Sequence, residues 1–502
     1  MKRDILRSFL SIFGTKIGVL VIGILTTPLI VRLLGSGGYG DYALIMSTFS
    51  VLTVFTNSGI FNGIRKYIAE DRSIERWTDV VFSFYFRISI LITGALTIAL
   101  MIASQSSLVV SLLGPEFQTY FIVLGVYLFI SQFYSMGRGA LMGFGLEHYS
   151  EPLQMVEKVV YAAVALVLLY YGLGVSGLLA GHIVGMLLVG IVAFWAIRDK
   201  LSFGMLLRST PETISRYDLL TFNVYSVLLA FLTISLYNVD ILLLRPLVGD
   251  SETGFYRASL VMAEFLWMVP TAIQYTLVQS TSEMWSKDQR ERITNIASTA
   301  TRINLSFIVI MGLGLAALVD EFVPLYFGQD FTPAVGPLLL LLPGVLGLAL
   351  SRPIFAIGQG KGELRALVLA TGTAAMLNLV LNILLIPRYG MYGAAVATSI
   401  GYGSMFFLHS WTAHRIGFDP IGDLRATKIV IAALVATPVV FGLAAILSGF
   451  VALIVVPPVG FLTYSVTSLR VGVIDIAEIK HLQDRSPDRI DPIYRVMLHL
   501  HG

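Results

Sequence analysis

The sequence predicts an all-α integral membrane protein with about 14 transmembrane helices, arranged as two six-helix lobes and two C-terminal helices. Of its 502 residues, 56% are hydrophobic and only 13% are charged, against roughly 25% charged in a typical soluble domain. The apolar residues come in long blocks, and the pattern of blocks repeats along the chain. The low charge excludes an ordinary soluble enzyme, and the blocks predict helices that cross a membrane.

Fourteen apolar blocks are each long enough to cross a hydrocarbon core, which takes about 20 residues of helix. They cover residues 9–34, 41–62, 79–103, 118–143, 153–172, 175–197, 217–244, 254–279, 297–319, 333–357, 364–386, 391–414, 427–447 and 451–469. The first block contains Lys16 and is followed directly by a second span. We therefore interpret it as a retained helix rather than a signal peptide.

The basic residues predict the topology, because short cytoplasmic loops are enriched in Lys and Arg. If the N-terminus is cytoplasmic and the fourteen spans alternate in direction, 25 of the 34 basic residues fall at cytoplasmic ends and loops. Only four lie at the outer ends, namely Arg32, Arg245, Arg257 and Arg388, and the other five lie within spans. This asymmetry predicts a multi-pass protein of the cell membrane with both termini in the cytoplasm.

The charge balance and the residue inventory exclude several other classes of protein. The net charge of +3 comes from 34 basic and 31 acidic residues, so no nucleic-acid partner is expected. The chain contains no Cys, which excludes disulfides and thiolate chemistry. Its seven His form no cluster with nearby carboxylates, so we predict neither a metal site nor a cofactor.

An internal repeat defines the predicted domains. A shift of 214 to 216 in residue number superimposes several glycines and one arginine. The pairs include Gly35 with Gly249, Gly40 with Gly254, Gly114 with Gly328, Arg138 with Arg352 and Gly174 with Gly390. This predicts a first lobe at 1–200, a second at 214–416, two additional transmembrane helices at 426–469 and a cytoplasmic tail at 470–502. Because six is an even number, both lobes should have the same orientation in the membrane.

Four sequence motifs resemble the polysaccharide biosynthesis and oligosaccharide flippase family. They are 31–35 with 39–42, the stretch 59–70, Asp240 with 254–256, and 377–398, which reads LNLVLNILLIPRYGMYGAAVAT. The last segment is the most specific, and the resemblance spans the whole chain. The family belongs to a superfamily that also contains lipid II flippases and multidrug antiporters.

The resemblance implies a flippase that carries a polyprenyl- or dolichyl-(pyro)phosphate-linked oligosaccharide from the cytoplasmic to the outer leaflet by alternating access. Its expected partners are this lipid-linked oligosaccharide, membrane lipids and glycan-assembly enzymes. A cation-coupled multidrug antiporter of the same superfamily is the alternative, but it would favour intramembrane acids where the first lobe is basic. A membrane glycosyltransferase or polymerase would need catalytic carboxylates on larger outer loops, so we do not expect an enzyme.

Basic residues within or near the spans are the predicted substrate-binding residues, because a charge inside a membrane is costly and marks function. Guanidinium groups bind phosphate oxygens bidentately, and Lys acts as a point charge. The candidates are Lys16, Arg32, Arg65, Arg138 and Arg352. Lys16 can instead snorkel to headgroups, Arg32 and Arg65 can anchor helix ends, and Arg138 and Arg352 can pair with a carboxylate or a helix end.

Acidic and amide residues in the second half supply the remaining candidates. Asp240 and Glu264 are candidates for coupling transport to a proton or to Na⁺, since a carboxylate in low dielectric has a raised pKa and can exchange ions. For Asp240 a salt bridge with Arg245 or Arg257 is preferred, and for Glu264 coupling and pairing both stay open. Asn378 and Asn382 lie four residues apart on one helix face, where hydrogen bonding between helices is preferred over contact with a glycan.

Overall fold

The structure is a computed structural model of the chain. It describes residues 2–70, 72, 76–202, 204, 206, 217, 219 and 224–483, apart from the side chains of residues 2–13, 16, 58, 477, 481 and 482. Helices make up the regular secondary structure of this part of the chain. The all-α fold class predicted from the sequence is confirmed.

The described residues form sixteen α-helices, several of which meet at short irregular turns. In chain order they are α1 (Lys2–Thr53), α2 (Gly59–Ala69), α3 (Trp77–Ser104), α4 (Ser107–Leu113), α5 (Glu116–Gly143), α6 (Glu147–Tyr170), α7 (Gly174–Ile197), α8 (Val224–Val248), α9 (Asp250–Glu264), α10 (Met268–Ser286), α11 (Arg290–Phe327), α12 (Val335–Lys361), α13 (Leu364–Ile416), α14 (Ala426–Ile446), α15 (Gly449–Arg470) and α16 (Ile476–Gln483).

Within the described residues, 12 helical segments are long and apolar enough to cross a membrane. Two of them, Ile17–Ala69 and Leu364–Ile416, are 53 residues long, about twice what one crossing needs. Each is broken by a glycine with positive φ, 68° at Gly35 and 54° at Gly390, a conformation that side chains disfavour. Each long segment therefore holds two crossings, and the protein is a multi-pass membrane protein with about fourteen spans.

The chain divides into two compact units. The first unit contains Met1–Arg257 and Asn382–Met391, and the second contains Ala258–Leu381 and Tyr392–Gly502. In the first unit, one core cluster surrounds the buried ring of Phe82 and another surrounds Tyr127. In the second unit, Tyr464 packs with residues of α11 and α14. Burial inside each unit leaves the outward faces of the helices apolar, as a lipid environment requires.

Repeat-equivalent glycines adopt matching backbone conformations. Gly114 ends α4 with φ 111° and ψ 161°, and Gly328 ends α11 with φ 113° and ψ 159°. Gly174 and Gly390, equivalent at a shift of 216, have φ values of 52° and 54°. Positive φ is readily reached only by glycine, so the repeat in the sequence corresponds to a repeat of backbone turns.

Two repeat-equivalent helix starts contact each other within the first unit. A Cβ atom at Gly40 would overlap the carbonyl oxygen of Asp250, and a Cβ atom at Gly254 would overlap the carbonyl oxygen of Ser36. A shift of 214 in residue number converts one contact into the other. We call this reciprocal contact the Gly40–Gly254 crossing. Small residues let the two backbones approach this closely, as is common where helices cross in membranes.

An ion pair lies beside the Gly40–Gly254 crossing. Arg245 Nε donates to Asp41 Oδ1 at 2.6 Å, and Arg245 Nη2 donates to the carbonyl oxygen of Leu113 at 2.9 Å. Glu252 accepts a hydrogen bond at 2.9 Å from the backbone N–H of Met391, directly after the break at Gly390. Within the first unit, polar contacts therefore hold α8 against α1 and α4, and α9 against the end of the segment 382–391.

Irregular turns follow α1 and α9, the two helices that meet at the Gly40–Gly254 crossing. A π-helical turn, Val54–Ser58, separates α1 from α2, and a 3₁₀ turn, Phe265–Trp267, separates α9 from α10. Shifted by 214, the first turn corresponds to residues 268–272, which directly follow the second and contain Pro270. Such turns interrupt the regular hydrogen-bond ladder and often occur at functional sites.

The start of the predicted tail folds back onto the second unit. Arg302 of α11 is 1% exposed and pairs with Asp423 and with Glu478 of α16. Arg425 pairs with Asp423 and with Asp475, which precedes α16. The hydrogen bond from Arg425 holds the pKa of Asp475 below its usual range. Two arginines thus attach α16 to the helical bundle.

Candidate functional site

A polar cavity of about 210 Å³ lies in the first unit, between α1, α2, α5 and α7. Its polar lining consists of Thr53, Asn57, Ser131, Gln132, Ser135 and Arg138. The rings of Phe49, Phe61 and Tyr134 complete much of the wall. We call it the Arg138 cavity. Aromatic faces beside hydroxyl, amide and guanidinium groups are the combination that binds polar ligands with apolar ring faces.

The local geometry of two helices brings these groups together. Ser131, Ser135 and Arg138 recur at intervals of four and three residues on α5, so they share one face of that helix. The π-helical turn of residues 54–58 directs Asn57 toward the same space, where Ser135 Oγ donates to Asn57 Oδ1. The cavity therefore depends on an irregular turn that helical periodicity alone would not reveal.

Arg138 carries the charge of the cavity and is paired with a buried acid. Its Nη2 donates to Glu151 Oε1 at 3.0 Å, and its guanidinium carbon lies 5.6 Å from the centre of the Phe61 ring. Gln154 Nε2 donates to Glu151 Oε2 at 2.8 Å. Arg138 thus makes the carboxylate pair that was the alternative to substrate contact, and at the same time it lines the cavity.

Several polar atoms around this cavity have no hydrogen-bond partner among the described residues. They are Nε2 of Gln132, Oη of Tyr134 and Nε of Arg138. The residues Gln132 and Tyr134 are 4% and 8% exposed. Buried polar atoms are normally satisfied, so unsatisfied donors beside a cavity are available to a ligand or to water.

Arg352 occupies the equivalent position in the second unit but has different neighbours. Its Nη1 donates to Gln274 Oε1 of α10 at 3.0 Å. Its guanidinium carbon lies 5.5 Å from the centre of the Trp267 ring, and Trp267 belongs to the 3₁₀ turn before α10. Tyr402 packs edge-on against the same indole at 5.6 Å. The contacts of Arg352 therefore include an amide and an aromatic ring.

The other basic candidates do not belong to the lining of the Arg138 cavity. Arg32 and Arg65 are both exposed, on α1 and α2. Lys16 lies in α1, and its side chain is outside the described residues. Exposure at a helix end is compatible with the anchoring role considered for Arg32 and Arg65, and their contact with a substrate stays a prediction.

The acidic candidates lie in different environments. Asp240 is fully buried, and its Oδ2 accepts a hydrogen bond from Tyr256 Oη at 2.6 Å. Arg245, one of the two partners considered for Asp240, pairs with Asp41. Glu264 ends α9, where it is partly buried next to the 3₁₀ turn. Ion coupling by either carboxylate stays a prediction.

The amide candidates are both fully buried on the first half of α13. Asn378 Nδ2 donates to Thr398 Oγ1 at 3.3 Å, across the break at Gly390. A Cβ atom at Gly401 would approach the Asn378 side chain within 2.7 Å, so glycine allows this contact. The hydrogen bond joins the two halves of α13, which form separate crossings. Asn382 lies one turn later on the same face.

The sequence analysis did not identify a buried ionisable cluster elsewhere in the first unit. Tyr42, Glu157, Tyr161 and His182 contact one another across α1, α6 and α7. Glu157 lies next to Lys158 in the predicted span 153–172, and His182 lies in the predicted span 175–197. A search for every ionisable residue inside the blocks would have found both residues, but it would not have shown that they are neighbours.

The second unit contains a cavity of different character. It has a volume of about 360 Å³ and lies between α9, α11, α14 and α15. Its lining is apolar and includes Met262, Ile310, Val440, Val456 and Phe461. A cavity of this composition suits alkyl chains rather than sugars or phosphate.

Comparison with known proteins places this architecture in a family. Residues 5–282 match the polysaccharide biosynthesis protein family. The chain belongs to that family.

A curated relative and two solved structures are similar to most of the chain. The probable low-salt glycan biosynthesis flippase Agl15 of Haloferax volcanii is 20% identical over 440 residues, covering 86% of this chain and 89% of the relative. The lipid II flippase MurJ in its inward closed conformation superimposes with a TM-score of 0.72 at 15% identity, covering 93% of this chain and 98% of MurJ. An inward-facing multidrug resistance MATE transporter has a TM-score of 0.63 at 16% identity, covering 81% and 96%. The fold is shared with both kinds of transporter.

Proposed function

We propose that the protein is a flippase for a polyprenyl- or dolichyl-(pyro)phosphate-linked oligosaccharide. The main support for this proposal is the Arg138 cavity. It combines a guanidinium group, unsatisfied amide and hydroxyl donors, and aromatic faces inside a membrane-spanning unit. Sugars present hydroxyl groups and apolar ring faces, and phosphates accept hydrogen bonds from guanidinium groups. The similarity to flippases of glycan biosynthesis and of lipid II supports the same assignment.

The charge of the cavity favours this substrate over a cationic drug. The acid nearest to Arg138 is Glu151, which accepts hydrogen bonds from both Arg138 and Gln154. A cationic drug would compete with a resident guanidinium group for that carboxylate, at a high desolvation cost. The multidrug antiporter that shares the fold is therefore the second candidate.

The apolar cavity of the second unit supports a lipid-linked substrate. Its lining residues, which include Leu318 and Leu453, provide apolar contacts suited to an isoprenoid chain. Burying a methylene group gains about 0.8 kcal/mol, so a few isoprene units would add appreciable affinity.

The proposal includes an organisation and an orientation. The two six-helix lobes at 1–200 and 214–416 would alternate access to the substrate, with both termini in the cytoplasm. Lys16, Arg32, Arg65, Arg138 and Arg352 would form the cationic path for the headgroup. The protein would act as a transporter rather than an enzyme, and glycan-assembly enzymes would supply the substrate and consume it.

Flipping in reconstituted vesicles tests the proposal. The probe is a fluorescent short-chain polyprenyl diphosphate that carries one N-acetylhexosamine, and a membrane-impermeant quencher reports its leaflet. We expect the protein to accelerate exchange of this probe but not of the same chain ending in a neutral alcohol. Ethidium transport without probe exchange would identify the antiporter instead.

A further inference from the structure

The first unit contains two buried ionisable side chains that the proposed cycle does not use. His182 of α7 and Glu157 of α6 are 4% and 3% exposed. His182 Nδ1 lies 3.8 Å from Glu157 Oε1, and neither atom has a hydrogen-bond partner among the described residues. One proton placed between these two atoms would satisfy both of them. The two atoms have to approach each other from 3.8 Å to about 3 Å before a proton on Nδ1 can bridge them.

Three tyrosines fix the orientation of the imidazole ring. Tyr42 Oη lies 3.0 Å from His182 Nε2 and 3.2 Å from Tyr161 Oη. The ring stacks on Tyr161 at 3.7 Å and on Tyr127 at 5.2 Å between centroids. Because Nε2 is held by Tyr42, Nδ1 is the nitrogen that faces Glu157. A fixed ring orientation is what a proton site needs, since its second nitrogen must stay directed at the acceptor.

The surrounding charges set the net charge of the cluster. Lys158 Nζ lies 3.3 Å from Glu157 Oε2, and the Lys158 side chain is 35% exposed. Tyr39 and Arg257 also act electrostatically on the cluster, through Tyr42. With His182 neutral, Lys158 and Glu157 balance each other, so one added proton makes the buried cluster cationic. The partly exposed Lys158 lies between this cluster and the surface of the unit.

The second half of the chain has no ionisable side chain at the two positions equivalent to His182 and Glu157. At a shift of 216 in residue number, His182 corresponds to Thr398 and Glu157 to Thr373. Thr398 accepts a hydrogen bond from Asn378, and Thr373 donates to the Leu369 carbonyl oxygen of its own helix. Packing of these two helices therefore does not require a histidine and a carboxylate.

We propose that Glu157 and His182 form a proton-binding site that couples a proton gradient to transport, a role that rests on the flippase function proposed above. The proton binds His182 Nδ1 while Nε2–H donates to Tyr42, and the imidazolium then donates to Glu157. Release restores the neutral imidazole, and no other bond forms or breaks. One proton passes inward for each substrate moved outward. Asp240 differs from Glu157 because a tyrosine and a backbone N–H occupy both of its oxygens.

The experiment uses the full-length protein in vesicles with the fluorescent polyprenyl diphosphate probe. For one proton exchanged per substrate, a gradient of one pH unit shifts the steady-state leaflet ratio of the probe about tenfold. We expect this shift in the native protein and its loss in His182→Gln and Glu157→Gln. The glutamine side chains keep hydrogen-bonding capacity but do not titrate.

His409→Gln is the matched control. His409 is also fully buried, and its Nε2 lies 3.2 Å from Thr371 Oγ1 in the second unit. We expect this variant to keep the tenfold shift. A native leaflet ratio that ignores the pH gradient would overturn the proposal, and so would an unchanged response in both glutamine variants.

A second measurement separates this proposal from the flippase function. Infrared difference spectra of the purified protein after a pH jump report imidazole protonation without any substrate. We expect one imidazole signal to disappear in His182→Gln and to remain in His409→Gln. If the native protein does not move the probe but this signal is present, the proton site stands and the flippase function fails. If the signal is missing from the native protein, the proton site fails.

Discussion

Arg245 donates to Asp41 across 204 positions of sequence, with a separation of 2.6 Å between Nε and Oδ1. Both side chains are 9% exposed, and the pair lies beside the Gly40–Gly254 crossing. Breaking one partner of a buried pair leaves an uncompensated charge and costs about 3–5 kcal/mol. The pair therefore fixes α8 against the second half of α1 in this conformation.

A designed disulfide tests the Gly40–Gly254 crossing. A Cβ atom at Gly37 would lie 3.2 Å from Asp250 Cγ, a separation compatible with disulfide geometry. We expect Gly37→Cys with Asp250→Cys to cross-link on mild oxidation and to stop probe flipping until a reductant is added. The chain has no native Cys, so a mobility shift on gels reports the bond directly. Each single variant is the control, and a double variant that does not cross-link would contradict the contact.

Arg138 and Arg352 should both be needed for transport. We expect Arg138→Ala and Arg352→Ala each to slow probe flipping by at least tenfold, while both proteins still insert in the membrane. Arg138→Lys should restore only part of the rate, because an ammonium group cannot bind a phosphate bidentately. Arg198→Ala, at an exposed residue after α7, is the control. Normal flipping by both alanine variants and by the double variant would remove these arginines from the substrate path.

Paired substitution separates the charge of Arg138 from its role in folding. Arg138→Ala alone leaves the buried Glu151 bonded to Gln154 but without a counter-charge, at a cost of about 3 kcal/mol. We expect Arg138→Gln with Glu151→Gln to recover most of that stability and still to flip slowly. Thermal unfolding in detergent and the flipping rate are measured on the same preparations. Flipping that recovers together with stability would assign Arg138 a structural role.

Gln132 provides a test of the cavity that does not depend on breaking a contact. Its Nε2 has no partner among the described residues, so Gln132→Leu removes an unsatisfied buried amide. We expect the melting temperature to stay level or to rise, while the apparent affinity for the probe falls by about fivefold or more. Gln105→Leu, at an exposed position after α3, is the matched control. A fall in stability without a change in affinity would contradict a ligand-binding role.

Acidification should weaken the attachment of α16. The pKa of Asp475 is held below its usual range by the hydrogen bond from Arg425. A carboxyl group with a lowered folded-state pKa stabilises the fold above its unfolded pKa, near 3.9, and this contribution disappears as the pH falls through the lower, folded-state pKa. We expect Asp475→Asn to cost on the order of 0.5 kcal/mol at pH 7 and almost nothing at pH 2. Hydrogen exchange of α16 against pH measures the difference.

The spans and the repeat could be predicted from the sequence because the spans depend on hydropathy and the repeat is marked by the positions of glycines. The length of an apolar block indicates a crossing whatever its neighbours are. The same positive φ favours glycine at positions 114 and 328. The repeat also placed Arg138 and Arg352 at equivalent positions. These features depend on local physics, so one sequence is enough to identify them.

The partners of the charged residues could not be predicted, for a physical reason. A transmembrane helix such as α7 is apolar on all sides, so its sequence does not show which face meets a neighbour. The contacts of Glu151 with Arg138 and of His182 with Glu157 depend on the rotation of adjacent helices. Asn57 enters the Arg138 cavity through a π-helical turn, which has no reliable sequence signal. The substrate-binding and coupling roles of the candidate residues therefore remain predictions.

The Gly40–Gly254 crossing is built from bare backbone, and this affects how the contact can separate. Interlocked side chains must change rotamer when two helices part, whereas two smooth glycine surfaces can part as rigid bodies. The directional attraction at this place is then concentrated in the pair of Asp41 and Arg245. Loss of the Asp41–Arg245 pair would therefore remove an ion pair that opposes separation of two backbones which no interlocked side chains hold together.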